Sequence, residues 1–299
     1  MKHIRYIITI MLFGVLTAFA DQQVIQITDQ STGLNQRWQQ AFQKAKDMED
    51  SYWIGYSITI NSEKTFNTWN HHAGRHQILH EIIHGTDDQQ NRSIQDAAQA
   101  ALNGNYPQSG KWCNQYGLLF CFKEEGDRIY EAYEINILNM QSWVDLRGYP
   151  LIWMGHTSQE ESVSLLLDVY PKIKLQDQKE KMISAIGMHQ QQPEAAAFLK
   201  KTIKSDEKSG LRGKAVFWLS QQDTEVLEFL VNVAHHDRSR DVREQAVFAV
   251  SLLDNKDAEE ALITLARKNT DREVRKKAIF WLGQKASEKS NGIIKGCGK

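Results

Sequence analysis

Three residues form the pattern in this sequence that is most suggestive of chemistry: His80, Glu81 and His84, in the order His-Glu-x-x-His. On a helix, these histidines lie one turn apart, so both imidazoles can bind one zinc ion while the glutamate polarises a metal-bound water. His72 and His76 extend the four-residue spacing upstream. The pattern supports one hypothesis, a zinc-dependent hydrolase with Glu81 as its catalytic residue and zinc as its cofactor.

The neighbouring sequence does not supply the third ligand that such a site needs. Residues 85–88 do not lead to a further histidine at the spacing of three-histidine zinc sites, and the next predicted helix, Ser93–Leu102, offers only Asp96 as an acid. Two histidines alone make a weak metal site. We therefore favour a structural or solvated role for His80 and His84, and expect no cofactor and no enzyme activity. The zinc hydrolase is kept as the alternative.

The composition is that of a globular, largely helical protein. Its 299 residues are 41% hydrophobic and 9% aromatic, which is enough for a packed core, and only four prolines occur. Thirty-six basic and thirty-seven acidic side chains give a formal charge of −1. No net field therefore favours nucleic acid or anionic lipid as a partner.

The N-terminus resembles a secretory signal peptide. Lys2 and Arg5 precede the apolar run Tyr6–Phe19, which ends in the small-residue triplet Ala-Phe-Ala at 18–20. The alternatives are a buried N-terminal helix or an uncleaved anchor. With residues 1–20 removed, we expect an exported protein, periplasmic or secreted, with no integral membrane segment.

Cys113 and Cys121 flank the turn-rich residues 114–117. In an exported protein they could close a hairpin as a disulfide, or both could stay unpaired and pack as small hydrophobic side chains. The sequence leaves both options open.

The second half of the chain contains an internal repeat. Four segments align, with starts 33, 31 and 32 residues apart: KEKMISAIG at 179–187, RGKAVFWLS at 212–220, REQAVFAVS at 243–251 and RKKAIFWLG at 275–283. Further helical patterns lie between them, at Glu194–Lys204, Thr224–Ala234 and Ala258–Lys268. Each unit is thus predicted to be two short helices. Neither helix can bury its apolar stripe alone, so neighbouring units must stack.

The period near 32 and the motif Asp241-Val242-Arg243-x-x-Ala246-Val247 are similar to the HEAT repeats of the short bacterial, PBS-lyase-like form. The resemblance covers residues 158–286. It implies a right-handed α–α superhelix, with the motif-bearing second helices on the concave side and a protein as the usual partner.

Two sets of repeated residues are candidates for a role. Arg212, Arg243 and Arg275 are interpreted as a structural ladder that bonds to carbonyls or to acids such as Asp237, Asp241 and Asp271. A second ladder either wedges between repeats, which we favour, or faces the groove as aromatic anchors. Its members, with one neighbouring tryptophan, are the candidate partner-binding residues: Phe217, Phe248, Phe280 and Trp281.

The two ends of the repeat region depart from the pattern. The first unit has Lys179, Met182 and Ala185 where the others have arginine, alanine and an aromatic residue, and is interpreted as a degenerate cap. After the last unit, residues 287–299 are predicted to form an irregular tail. Partial exposure of the last unit would then provide a surface for self-association, or mark a truncated longer array.

Residues 21–157 have mixed patterns and are predicted to form a small α+β domain docked on the first repeat. The predicted helices are Asn35–Met48, Arg75–His84 and Ser93–Leu102; the predicted strands are Ser51–Ile60, a hairpin of Leu118–Phe122 with Arg128–Leu138, and Trp143–Trp153 with a bend at Pro150.

The prediction as a whole is a mainly α protein: a HEAT-like solenoid of four units preceded by a small α+β domain. Its predicted function is that of an exported scaffold that binds a protein or peptide through the concave face of the solenoid.

Overall fold

The computed structural model describes residues 23–27, 29, 31–46, 48, 51–60, 77–85, 114–123, 132–205, 207–222 and 224–297, with the backbone alone at 77 and 288–297. The strands are β1 Val24–Gln26, β2 Tyr52–Thr59, β3 Gln77–Ile78, β4 Gln115–Phe122, β5 Ala132–Asn139, β6 Trp143–Val144 and β7 Leu151–Thr157. The helices are α1 Leu34–Ala45, α2 Leu79–His84, α3 Gln159–Val169, α4 Gln176–Gly187, α5 Pro193–Lys204, α6 Ser209–Leu219, α7 Leu227–His236, α8 Arg240–Ser251, α9 Lys256–Lys268 and α10 Arg272–Cys297.

The N-terminal part is built on a mixed sheet with the strand order β1-β7-β2-β4-β5. β7 runs parallel to both β1 and β2, whereas β4 is antiparallel to β2 and β5. The β-branched and aromatic residues of β2 are buried along almost its whole length, as expected of a strand with both faces covered. The α+β fold class and the predicted hairpin are confirmed.

Each face of this sheet belongs to a different apolar cluster. On one face, Trp38 and Phe42 of α1 make edge-on contacts with Phe120 and Phe122 of β4, at centroid distances of 5.2 and 5.0 Å. That cluster continues without a break into the helical repeats. On the other face, Leu79 and the short helix α2 pack on β4 and β7.

The C-terminal part is the predicted helical solenoid. The second helices α4, α6, α8 and α10 each contact the next, and α5, α7 and α9 pair with them as first helices. Ser158 begins α3 by accepting a hydrogen bond from the backbone N–H of Glu161, and Asn255 caps α9 in the same way through Ala258. None of the described helices is both long and apolar enough to cross a bilayer.

Three predicted elements need correction. Trp143–Trp153 is not one strand: β6 pairs with β3, and β7 begins only after Pro150 and runs to Thr157, because it takes its partners from β1 and β2. Arg75–His84 yields a helix only from Leu79 onward, since Gln77–Ile78 pair as a strand. The tail predicted as irregular from residue 287 is helical, because α10 continues to Cys297. The predicted signal peptide and the predicted helix Ser93–Leu102 lie outside the described residues.

Candidate functional site

A buried polar network joins the sheet to the first repeat. The Tyr56 hydroxyl of β2 lies 2.9 Å from the Ser162 hydroxyl of α3, which lies 2.9 Å from His189 Nε2. His189 Nδ1 lies 2.8 Å from the Ala185 carbonyl, and burial lowers the pKa of His189 to about 4. All three side chains are fully buried. A substrate cannot reach this serine–histidine pair, so its role is to hold the two parts of the chain together.

The repeated arginines connect successive units. Arg212 donates two hydrogen bonds to the Asp237 carboxylate, at 3.2 and 2.8 Å, and Arg243 donates one to Asp271 at 2.5 Å. In the first unit, Lys179 lies 2.7 Å from Glu207 in the same arrangement. Each acid belongs to the turn that precedes the second helix of the next unit. The cation of one unit is thus paired with the entry turn of its successor.

Each arginine also fixes the turn that leads into its own helix. Arg212 donates to the Glu207 carbonyl at 2.6 Å, and Arg243 donates to the Asp237 carbonyl at 2.7 Å. Arg275 keeps this contact through the Asn269 carbonyl at 2.7 Å, but no acid pairs with it in the described part of the chain. For Asp241, also a candidate acid, the structure shows no contact with these arginines. The second, third and fourth units therefore repeat the local contact, and within the described residues the fourth lacks the contact to a successor.

Three aromatic side chains line up across the second helices; we call Phe217, Phe248 and Trp281 the aromatic row. The rings of Phe217 and Phe248 stack with their centroids 6.3 Å apart and an interplanar angle of 10°. Phe248 meets Trp281 at 4.7 Å. All three are half-buried, so each ring both packs against its neighbour and shows an edge to solvent.

Phe280 does not continue this row, although its position in the repeat matches that of Phe217 and Phe248. It lies edge-on to Trp281 at 5.0 Å and is 52% exposed. The neighbouring Trp281 lies against Phe248 instead.

Sequence reasoning missed one further inter-unit contact and one cleft. Trp218 lies against Gly187 of the preceding second helix and donates its indole N–H to the Ser184 hydroxyl at 3.0 Å. Between α5 and α7, a cleft of about 610 Å³ is lined by the Arg212–Asp237 pair together with polar and apolar side chains, among them Phe229. The tryptophan was visible in the repeat alignment, whereas no sequence pattern marks the cleft.

The His-Glu-x-x-His residues lie on α2, a helix of six residues. The rings of His80 and His84 are 4.6 Å apart, and the pKa of His84 is lowered by partial burial and by the neighbouring His80. No group of three metal-ligating side chains forms within the described residues. His72 and His76 lie outside them, and the zinc alternative, with Glu81 as catalytic residue, stays a prediction. Metal analysis of the full chain and of a His84→Ala variant would test it.

Cys121 lies on β4 with its side chain fully buried, and it has no disulfide partner within the described residues. Burial raises the pKa of this thiol to about 12, so it is protonated and unreactive near neutral pH. Cys113 lies outside the described residues, and the disulfide with Cys113 stays a prediction.

These features define a class: a solenoid of two-helix repeats, joined by an ion-pair ladder and an aromatic row, and closed at one end by an α+β sheet. Residues 227–290, which span α7 to most of α10, match the family of HEAT repeats. No curated protein and no solved structure matches the chain.

Proposed function

We propose that this chain is an exported scaffold that binds a protein or peptide partner through the second-helix face of its solenoid. The observation that carries the proposal is the aromatic row. Half-exposed rings on three successive helices present a continuous, rigid apolar surface, and aromatic side chains of this kind supply much of the binding energy in protein interfaces. HEAT repeats generally mediate protein–protein interaction, which agrees with such a role.

The repeat spacing of 31 to 33 residues supports assignment to the short, PBS-lyase-like form of the repeat. In that form, the second helices line the concave side. The partner would then lie along α6, α8 and α10, in contact with all three rings of the aromatic row.

Site-specific crosslinking in the producing cell tests the proposal. A photo-reactive phenylalanine analogue replaces Phe217 or Phe248 in the full chain, and the crosslinked products are identified by mass spectrometry. Leu175, which is 47% exposed at the start of α4, serves as the matched control position outside the row. We expect the same protein to be captured from Phe217 and from Phe248, and not from Leu175. Capture from neither ring, or equally from all three positions, would refute the proposal.

Export is the second part of the proposal, supported by the cationic start, apolar run and small-residue triplet of residues 1–20. Cell fractionation followed by N-terminal sequencing tests it. We expect mature protein outside the cytoplasm that begins at Asp21. Protein that stays in the cytoplasm with Met1 in place would contradict export and leave the binding proposal standing.

A further inference from the structure

One position of the repeat is buried in every unit except the last. Ile183, Val216 and Val247 are 0% exposed. Each lies one helical turn after a ladder cation that pairs with the following unit, so it shares the side of the helix that is turned towards that unit. The equivalent residue of α10 is Ile279, which is 59% exposed. The side of α10 that a further unit would cover is therefore open to solvent.

The residues around Ile279 on this side of α10 are uncovered as well. We call Arg275, Lys276, Ile279 and Gly283 the open edge: Arg275, Ile279 and Gly283 recur every four residues, and Lys276 lies three residues before Ile279, so all four border one stripe of the helix. No atom lies within 4 Å of a Cβ built on Gly283, whereas the equivalent Gly187 is covered by Trp218. α10 runs on to Cys297 as a single helix, so these residues do not fold back over the open edge.

The ion pairs of the ladder indicate which chemical group a partner bound at the open edge must provide. At each earlier junction, an acid in the turn before the next second helix accepts from the ladder cation: Glu207 from Lys179, Asp237 from Arg212 and Asp271 from Arg243. Arg275 is held in the same pose by the Asn269 carbonyl and has no such acid within the described residues. An occupant helix that runs parallel to α10, as α10 does to α8, would place its N-terminal turn beside Arg275. A carboxylate there is also favoured by the dipole of that helix.

The charge of α10 decides between occupants. The open edge carries two cations, Arg275 and Lys276, the second paired with Glu273 at 2.9 Å, and no acid of its own. Lys277 and Lys285 contact the preceding unit, through Glu244 and the Leu253 carbonyl. A second copy of the chain, paired two-fold through this helix, would set the same cations against each other, and like charges at an interface disfavour association. An acidic helix is electrostatically complementary.

We propose that the open edge of α10 binds an amphipathic, acidic helix of a partner protein, whose N-terminal aspartate or glutamate pairs with Arg275 while its apolar stripe covers Ile279 and Gly283. This surface is separate from the aromatic row, so either proposal can fail while the other holds.

The test uses the full chain and a lactam-bridged helical peptide as the probe. The peptide carries aspartate at its first position, leucine and alanine on one stripe and glutamate elsewhere, and its binding is followed by fluorescence anisotropy. We expect saturable binding that is about tenfold weaker for Arg275→Gln. Replacing the peptide's aspartate by asparagine should weaken binding to the native chain about tenfold, and to Arg275→Gln scarcely at all. Such non-additive effects on affinity would show that Arg275 and the aspartate of the peptide interact directly.

The controls separate this site from general attraction to a basic surface. Ile279→Asp should abolish binding. Leu175→Asp makes the same exchange of an exposed apolar side chain for a carboxylate, at the N-cap position of α4, and should leave binding unchanged. Circular dichroism confirms that each variant is folded. Absent binding, or equal binding to the native chain and to Ile279→Asp, would overturn the proposal. So would a dimer in analytical ultracentrifugation that Ile279→Asp abolishes, since the occupant would then be a second copy.

Discussion

His189 and Arg212 show how single buried polar residues make stability depend on their partners. His189 is neutral because its site is sealed from water, although it has two hydrogen-bond partners. Arg212 is nearly as deeply buried, and Asp237 accepts two of its hydrogen bonds. The contribution of His189 to the free energy of unfolding should therefore depend on pH, and the stability of the Arg212 site should depend on both partners being present.

Acidification should destabilise the fold through His189. Its pKa is about 4 in the folded chain, against an ordinary value of 6.5. Between these values the unfolded chain binds more protons, so the free energy of unfolding falls as the pH falls from 6.5, by about 3 kcal/mol at pH 4. Urea titrations at several pH values measure this loss. In His189→Gln the slope over that interval should be shallower, and parallel curves for the two proteins would contradict the assignment.

Removing the Arg212 side chain should be costly. In Arg212→Met, the Asp237 carboxylate, only 8% exposed, loses its cation, and the expected loss is about 3–5 kcal/mol in the free energy of unfolding. Arg240→Met is the matched control: Arg240 is 62% exposed and lies 3.9 Å from Asp271, so its loss should stay within about 0.5 kcal/mol. Chemical denaturation compares them. Similar losses in the two variants would show that the ladder contributes little.

Between helices, a small residue decides how closely two units approach. A Cβ at Gly187 would lie 2.5 Å from Trp218 Cγ, so Gly187→Ala should force α4 and α6 apart and cost about 1–3 kcal/mol. Gly283→Ala is the same change at the same repeat position with open space around it. It should be neutral or stabilising by up to about 1 kcal/mol, because alanine favours helix. Thermal unfolding of both variants measures the difference, and equal effects would contradict the contact.

The helices and strands also show how much of the fold could be predicted from the sequence. The helices of the repeats follow from local periodicity, and their bounds agree with the predicted ones to within about three residues, except that α10 runs on to Cys297. The order of the strands in the sheet does not follow from local periodicity, because β7 pairs with strands more than 90 residues away. Trp143–Trp153 and Arg75–His84 were misassigned because their strands, too, pair with distant parts of the chain. Tyr56, Ser162 and His189 carry no shared pattern, so their network becomes visible only when the fold brings them together.

Over the whole molecule, the apolar cluster that begins on α1 and β4 runs into the repeats without a gap. The backbone N–H of Ile135 on β5 also donates to Gln178 of α4 at 2.8 Å. The sheet thus covers the first repeat as a successor unit covers the others, and the two parts should unfold together.

A fragment of residues 158–299 should therefore be much less stable than the full chain. Without the sheet, the buried faces of α3 and α4 become exposed, and we expect a lower melting temperature and binding of a hydrophobic dye. The comparison is a chain that ends at residue 254, which loses one repeat at a single inter-unit junction. Its melting temperature should fall less. If the fragment 158–299 melts at the temperature of the full chain, the two parts are independent.

The ladder has a direction, since the cation of one unit always pairs with an acid of the unit that follows it. A unit or partner that binds on the Arg275 side of α10 meets a junction of the same design as those between the existing units. The sheet occupies the opposite end of the solenoid. A unit gained or lost on the Arg275 side would leave the other junctions intact, whereas a unit inserted before the first repeat would have to displace the sheet.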